Sequence, residues 1–275
     1  MKANKISLAG DLGSGKSTVA AILIERLGAE FYSTGVICRK FATERGMSVI
    51  EMNQYMESHP EFDKYIDDGL VALSDEDKAM VIDSRMAWHF VKGTFKVYMT
   101  TELAESAKRI LRAKRSEERA TTVEECAANI KARKASESKR YFEKYGVLCK
   151  NLENYSLVID STYASPEDVA DCILSCFADW QEDTSRRYAY ICPRRFLYSD
   201  DGVDMAKVQK LSTWLDEGTD IGEVTAVEHD GDIYAVGNAE VALAYELSLV
   251  PLVPTRLTVA KEKPLGTFVP MVDSL

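Results

Sequence analysis

Short apolar runs alternate with longer stretches of helical periodicity over the first 180 residues. Lys5-Ile6-Ser7-Leu8-Ala9 reads as a short buried strand and Val19 to Leu27 as a helix. Glu30-Phe31-Tyr32 predicts a second strand, ending at Ser33-Thr34-Gly35, a turn able to cap a helix over Val36 to Arg45. Ser48 to Glu57 and Phe62 to Leu73 predict two more helices. They break at His59-Pro60, because the residue before proline avoids helical geometry. Lying between strands, Ser48–Leu73 forms an insertion on the sheet. Ala79 to Ile82, Phe95 to Met99 and Leu157 to Asp160 complete the strands. Helices follow from Glu102, over Thr122 to Lys144, and from Ser165-Pro166, with proline at the first helical position, to about Trp180. This alternation predicts an α/β fold, a parallel sheet covered by helices.

Gln181-Glu182-Asp183-Thr184-Ser185 is a polar stretch and divides the chain into residues 1–180 and 186–275. Beyond it the pattern changes to a smaller α+β domain. Tyr188 to Cys192 is a short strand closed by Pro193, and Val203 to Glu217 a helix. Val224 to Glu228 and Ile233 to Val236 form two strands joined by the hairpin signal Asp230-Gly231. Asn238 to Leu247 is a helix and Leu252 to Val259 a strand.

Composition limits the partners. Apolar content of 46% and charged content of 28% in 275 residues are those of a globular protein. No stretch reads as a signal peptide, and no apolar run approaches the roughly 20 residues that span a bilayer. Membrane insertion and export are therefore not expected. Net charge is −10, and residues 181–275 carry 9 Lys and Arg against 16 Asp and Glu, so that surface should repel nucleic acid. The six cysteines form no CxxC pair and the three histidines do not cluster, which argues against zinc and suits a reducing cytoplasm.

The chemistry concentrates at Gly10-Asp11-Leu12-Gly13-Ser14-Gly15-Lys16-Ser17-Thr18, which fits the P-loop pattern G-x-x-x-x-G-K-[ST] between a strand and a helix. Glycines there let backbone N–H groups point inward, and the helix N-terminus favours phosphate. Lys16 would reach the terminal phosphates of ATP and Ser17 would hold Mg²⁺. Asp83-Ser84-Arg85 follows a strand at the edge where open α/β sheets bind ligands. There Asp83 would hold Mg²⁺-bound water or merely cap a turn, and Arg85 would hold an anionic substrate. The basic run Arg109, Arg112, Lys114, Arg115 and Arg119 is either a solvated face or a lid over the phosphates. Arg133, Glu137 and Arg140, spaced i, i+4, i+7, share one helix face. Asp11 would orient Lys16 or substrate, or stabilise the loop by a hydrogen bond.

Residues 1–180 resemble the cytidylate kinase-like family. The resemblance runs through ordered blocks: the P-loop, Ser33-Thr34-Gly35 with Arg39, Glu51-Met52-Asn53, Val81 to Phe90 with Asp83-Ser84-Arg85, Arg133 to Tyr141, and Tyr155 to Asp160. It implies transfer of phosphate from ATP, with Mg²⁺, to a nucleoside monophosphate, CMP or dCMP first. Ser33, Gly35 and Arg39 would then face the monophosphate, Arg85 would grip its phosphate, and Arg133 or Arg140 would come from the lid side. Residues 188–260 resemble a degenerate ParB/sulfiredoxin-type domain, through Cys192-Pro193-Arg194-Arg195-Phe196-Leu197-Tyr198 and Tyr234 to Ala242. Where that family carries a phosphate-binding His and Arg, this chain has Asn238 and Glu240. The resemblance therefore implies a non-catalytic module that is structural or holds a regulatory ligand or protein. Two further readings stay open: a kinase of another small hydroxyl acceptor, with Asp11 or Asp83 as base, and a nucleotide-binding regulator without turnover.

Overall fold

A computed structural model describes residues 4–113, 120–199 and 202–271. The first strand, β1 (Lys5–Gly10), is buried along its whole length, as expected of a central strand covered on both faces. The P-loop turns from it into α1 (Lys16–Leu27). Then follow β2 (Glu30–Ser33), α2 (Thr34–Glu44), α3 (Val49–Glu57) and α4 (Pro60–Ala72). Ser48 opens α3 with a reciprocal capping box to Glu51, and Pro60 occupies the first turn of α4, so the chain breaks at His59. Next come β3 (Met80–Asp83), α5 (Ala87–Phe90), β4 (Thr94–Thr100), α6 (Leu103–Arg112), α7 (Val123–Tyr145), β5 (Leu157–Asp160) and α8 (Pro166–Glu182).

The strand order β2-β3-β1-β4-β5 is parallel throughout, with helices on both faces. The α/β expectation for this half is met. Ile6, Leu8, Phe95, Val97 and Leu157 pack against Leu23 of α1 and Ile173 and Phe177 of α8. On the other face, Met52, Met56, Ile66 and Leu70 of the helical insertion close over Met80 and Ile82.

The remaining elements are β6 (Tyr188–Ile191), β7 (Phe196–Tyr198), α9 (Met205–Asp216), β8 (Val224–His229), β9 (Asp232–Gly237), α10 (Ala239–Leu247), β10 (Val253–Val259) and β11 (Val269–Pro270). They have a core of their own, around Phe196, Tyr198, Val208, Ile233, Leu243 and Val253. The sheet nevertheless continues across the polar stretch at 181–185. β6 pairs parallel to β5, with Val158 opposite Ala189. β10 then serves two neighbours: Val253 and Pro254 pair antiparallel with β6, and Thr255 to Val259 pair parallel with β8. Among the described residues the result is one eleven-stranded sheet. No helix of the described residues is long and apolar enough to cross a membrane.

Candidate active site

The P-loop is held to its neighbours by close backbone packing. Gly10 has φ +148°, and a Cβ there would collide with the Met99 carbonyl oxygen and lie 2.8 Å from the Met99 nitrogen. Gly13, at φ +76°, approaches α6 so closely that a Cβ would sit 2.7 Å from the Ser106 oxygen. Gly15 supplies the left-handed residue that lets α1 begin at Lys16. Ser14 is buried, and its carbonyl accepts a hydrogen bond from Ser161 Oγ at 2.9 Å.

Asp11 is a tie between this loop and β4. Its carboxylate accepts from Tyr98 Oη and Thr100 Oγ1, each at 3.0 Å, and from Thr101 N at 3.3 Å. Burial pushes this carboxyl up, but Lys150, Lys134 and the two hydroxyls outweigh it and hold it below its ordinary value. Lys16 folds back over the loop and donates to Asp11 O at 2.7 Å, Gly10 O at 3.2 Å and Ser14 Oγ at 3.3 Å. Burial and the Arg85 guanidinium push its ammonium down to about 8, against Asp83, Asp11 and Glu137.

A cavity of about 360 Å³ opens beside Lys16. Gly13, Gly15, Lys16, Ser17 and Thr18 form one side, and Gly35, Arg39, Asp83, Arg85, Arg133 and Arg140 line the rest. The exposed Ser17 hydroxyl and the Asp83 carboxylate share this space, an oxygen donor set suited to Mg²⁺. Ser33 stands apart: its hydroxyl caps α2 by accepting from Val36 N at 3.4 Å, and Thr34 and Gly35 line the cavity instead. Gly10 and Asp11 face a second cavity.

The arginines differ in what holds them. Arg85 donates to Gly10 O and, at 2.9 Å, to Glu137 Oε2, while Arg133 donates to Glu137 Oε1, also at 2.9 Å. Arg140 is buried and donates to Asn53 O at 3.0 Å, with Asp63 at 3.5 Å, which fastens α7 to the helical insertion. Arg39 forms no ion pair among the described residues and lies against Gly35, whose Cβ would be 3.5 Å from its guanidinium. In the basic run, Arg109 donates to the carbonyls of Ser161 and Thr162 at 2.7 and 2.9 Å, which joins α6 to the loop after β5. Lys114, Arg115 and Arg119 lie outside the described residues.

Sequence reading passed over Glu137 as a site residue. Its position four after Arg133 and three before Arg140 was the available signal. Its carboxylate is what aligns Arg85 with Arg133. Asn53 and Tyr141, which lie in the Glu51-Met52-Asn53 and Arg133-to-Tyr141 blocks, also line the cavity, as does Cys38, which lies in no motif.

The family described as "AAA domain" matches residues 6–143. The cytidylate kinase of Methanobrevibacter smithii is 32% identical over 170 residues, 62% of this chain and 96% of that one. An S-adenosylmethionine-dependent nucleotide dehydratase from Lacinutrix mariniflava is 35% identical over 171 residues, and the chain spans only 35% of its length. Shikimate kinase from Acinetobacter baumannii, solved with shikimate, gives a TM-score of 0.45 at 21% identity, covering 64% of this chain and 93% of that one. The fold and the P-loop cavity define a P-loop kinase segment. The chain belongs, through that segment, to the cytidylate kinase-like family.

Proposed function

We propose that the chain transfers phosphate from ATP to a nucleoside monophosphate, CMP or dCMP first, giving the diphosphate and ADP. The observation that carries this reading is a single cavity with the P-loop lysine on one side and five arginines, Arg39, Arg85, Arg109, Arg133 and Arg140, on the others. Two polyanions must meet in line, and guanidinium groups supply both the charge and the bidentate geometry that phosphates need. A phosphate acceptor needs no strong base, in contrast to a hydroxyl acceptor. Relatives named cytidylate kinase at 32% identity support the same class.

In this reading Lys16 and the backbone of residues 12–18 hold the donor phosphates, while Gly10 and Asp11 face the second cavity. Arg39, free of ion pairs among the described residues, meets the acceptor phosphate with Arg85, and Gly35 keeps room for it. Ser17 and Asp83 would hold Mg²⁺, Ser17 directly and Asp83 through water. The ion supplies charge neutralisation between the phosphates when bound. A coupled ADP-release screen over nucleoside monophosphates and small hydroxyl acceptors tests this. ADP formation that depends on CMP or dCMP is expected. ADP formation only with a hydroxyl acceptor, or with none of the panel, would sink the reading.

Lys16 adds a pH test. Its folded value of about 8 lies below the ordinary 10.5, so the charged form opposes folding below pH 8, and that cost fades as pH rises from 8 toward 10.5. ATP binding needs the charged form. Affinity should therefore fall above pH 8, by up to about tenfold per unit, with uptake of close to one proton per ATP at pH 9. Titration calorimetry in buffers of different ionisation enthalpy measures both. Affinity that stays flat from pH 7.5 to 9.5 would contradict this placement of the lysine.

A further inference from the structure

A second cavity of about 480 Å³ lies where the two halves of the chain meet. It adjoins the P-loop cavity, and Leu12, Arg85, Glu137 and Tyr141 line both. Its walls come from the ends of β1 and β4, from α6 and α7, from the segment before β5, and from the β8–β9 turn. The volume is within the range of small-molecule sites.

Its charges are arranged unusually. Lys134 of α7 and Lys150 enter from neighbouring elements, close enough that, with burial first, Lys150 helps push the Lys134 ammonium down. Two ammonium groups gathered in one partly buried space repel each other, and the protein compensates them only loosely. Lys134 stands 3.8 Å from Asp11 and Lys150 stands 3.5 Å from Glu228, longer than a good charge-assisted hydrogen bond. Asp11 is committed to Tyr98, Thr100 and Thr101, and Glu228 accepts from Gly231 N at 2.9 Å. Both carboxylates are shared with these other donors. Most N–H donors of both ammonium groups therefore remain for a ligand.

The other acids around the cavity are occupied or peripheral. Glu137 is held by two arginines, Glu102 by Tyr163 and Asp232 by Tyr234, while Asp230 is 92% exposed. Acidic residues at this turn, on an acidic C-terminal half, disfavour a nucleic acid and leave room for a small anion. The lining is mixed beyond these groups: Leu12, Leu103, Ile130 and the rings of Tyr98 and Tyr155 give an apolar and aromatic part, and Lys131 and Arg195 add two more cations. Those two rings have centroids 5.0 Å apart.

We propose that this junction cavity is a second ligand site, taking a small phosphorylated molecule with a ring in its body, the phosphate between Lys134 and Lys150. The site does not depend on which acceptor the P-loop cavity uses. Because Lys134 also reaches Asp11 and Lys150 reaches Glu228 of β8, the bound phosphate would join the P-loop to the C-terminal half.

Inorganic phosphate and phenyl phosphate, titrated separately by calorimetry into the full chain carrying Lys16→Ala, test the proposal. Both should bind, phenyl phosphate several-fold more tightly. Adding Lys134→Gln and Lys150→Gln should weaken both at least tenfold, whereas Lys150→Arg should stay within about threefold of the Lys16→Ala parent, since it retains the charge. Circular dichroism separates lost binding from lost folding, and the Lys150→Arg arm keeps the test decisive if the double glutamine variant unfolds. No binding to the Lys16→Ala chain, or binding unchanged by the lysine substitutions, would overturn the site. Equal affinity for the two phosphates would overturn the ring-bearing ligand.

Discussion

Replacing Lys16 by alanine lowers kcat/KM for phosphoryl transfer by about 10³-fold or more, while thermal stability at pH 7 stays equal or rises. The first half of this expectation follows from charge. The transferred phosphoryl group spreads negative charge over its oxygens, and a preorganised cation is the main help a protein can give it. A factor of 10³ corresponds to about 4 kcal/mol of transition-state stabilisation. The second half follows from the resting state. Lys16 is half-buried beside the Arg85 guanidinium, and that environment pushes its ammonium down to about 8. At neutral pH the folded chain thus carries a cation in a place that resists it. Removal relieves that cost; of the acceptors it gives up, Gly10 O keeps its bond from Arg85, Asp11 O belongs to a residue lining the second cavity, and the buried Ser14 Oγ loses only a 3.3 Å contact. An activity loss with no stability loss marks strain held for function. Steady-state kinetics with the acceptor found in the screen, beside thermal melts, measure both. Turnover within tenfold of the parent would remove Lys16 from the transfer step.

The donor half of this site was legible in the sequence because its determinants are local. Strand, glycines, lysine and helix lie within 23 residues, and each hydrogen bond of Lys16 named above spans six positions or fewer. The proposed acceptor half was legible only as residue types at the ends of strands. The link from Arg85 to Glu137 spans 52 positions, and that from Arg140 to Asn53 spans 87. Such pairs depend on how α7 lies across the insertion, which no local pattern encodes. The same holds for the sheet. The Asp230-Gly231 hairpin was readable from its turn, with Asp230 at φ +52° and Gly231 at φ +97°. β7 was not readable: it has three residues, and its parallel partner β9 begins 36 positions after it does. Nor was the double pairing of β10, since nothing in Val253 to Val259 marks where one neighbour gives way to the next. Asp11 shows the limit within a motif. The hydrogen-bonded loop was among the roles open to it, but its partners Tyr98 and Thr100 lie 87 and 89 positions away.

Glu137→Ala is expected to destabilise the fold by about 3–5 kcal/mol, the usual cost of removing one member of a buried ion pair. The substitution leaves two guanidinium groups, Arg85 and Arg133, without the carboxylate that each meets at 2.9 Å. Its side chain is only 10% exposed, so water cannot easily take its place. Burial pushes the Glu137 carboxyl up, but Arg85, Arg133 and Arg140 outweigh burial and bring it down to about 2, below its ordinary 4.5. The sign then fixes the pH dependence. Between about 2 and 4.5 the unfolded chain binds the extra proton, so stability rises with pH across that window. The contribution of the carboxylate is complete above pH 4.5 and is lost as pH falls through about 2. Denaturant unfolding of the parent and of Glu137→Gln, which keeps the shape without the charge, should show a constant gap from pH 5 to 8 that narrows toward pH 2. In the proposed reaction Glu137 would be a positioning residue that aims Arg85 and Arg133. In Glu137→Gln the KM for the acceptor should therefore rise more than kcat falls. A stability gap below about 1 kcal/mol at pH 7, or one that does not narrow in acid, would mean that solvent rather than this carboxylate compensates the two arginines.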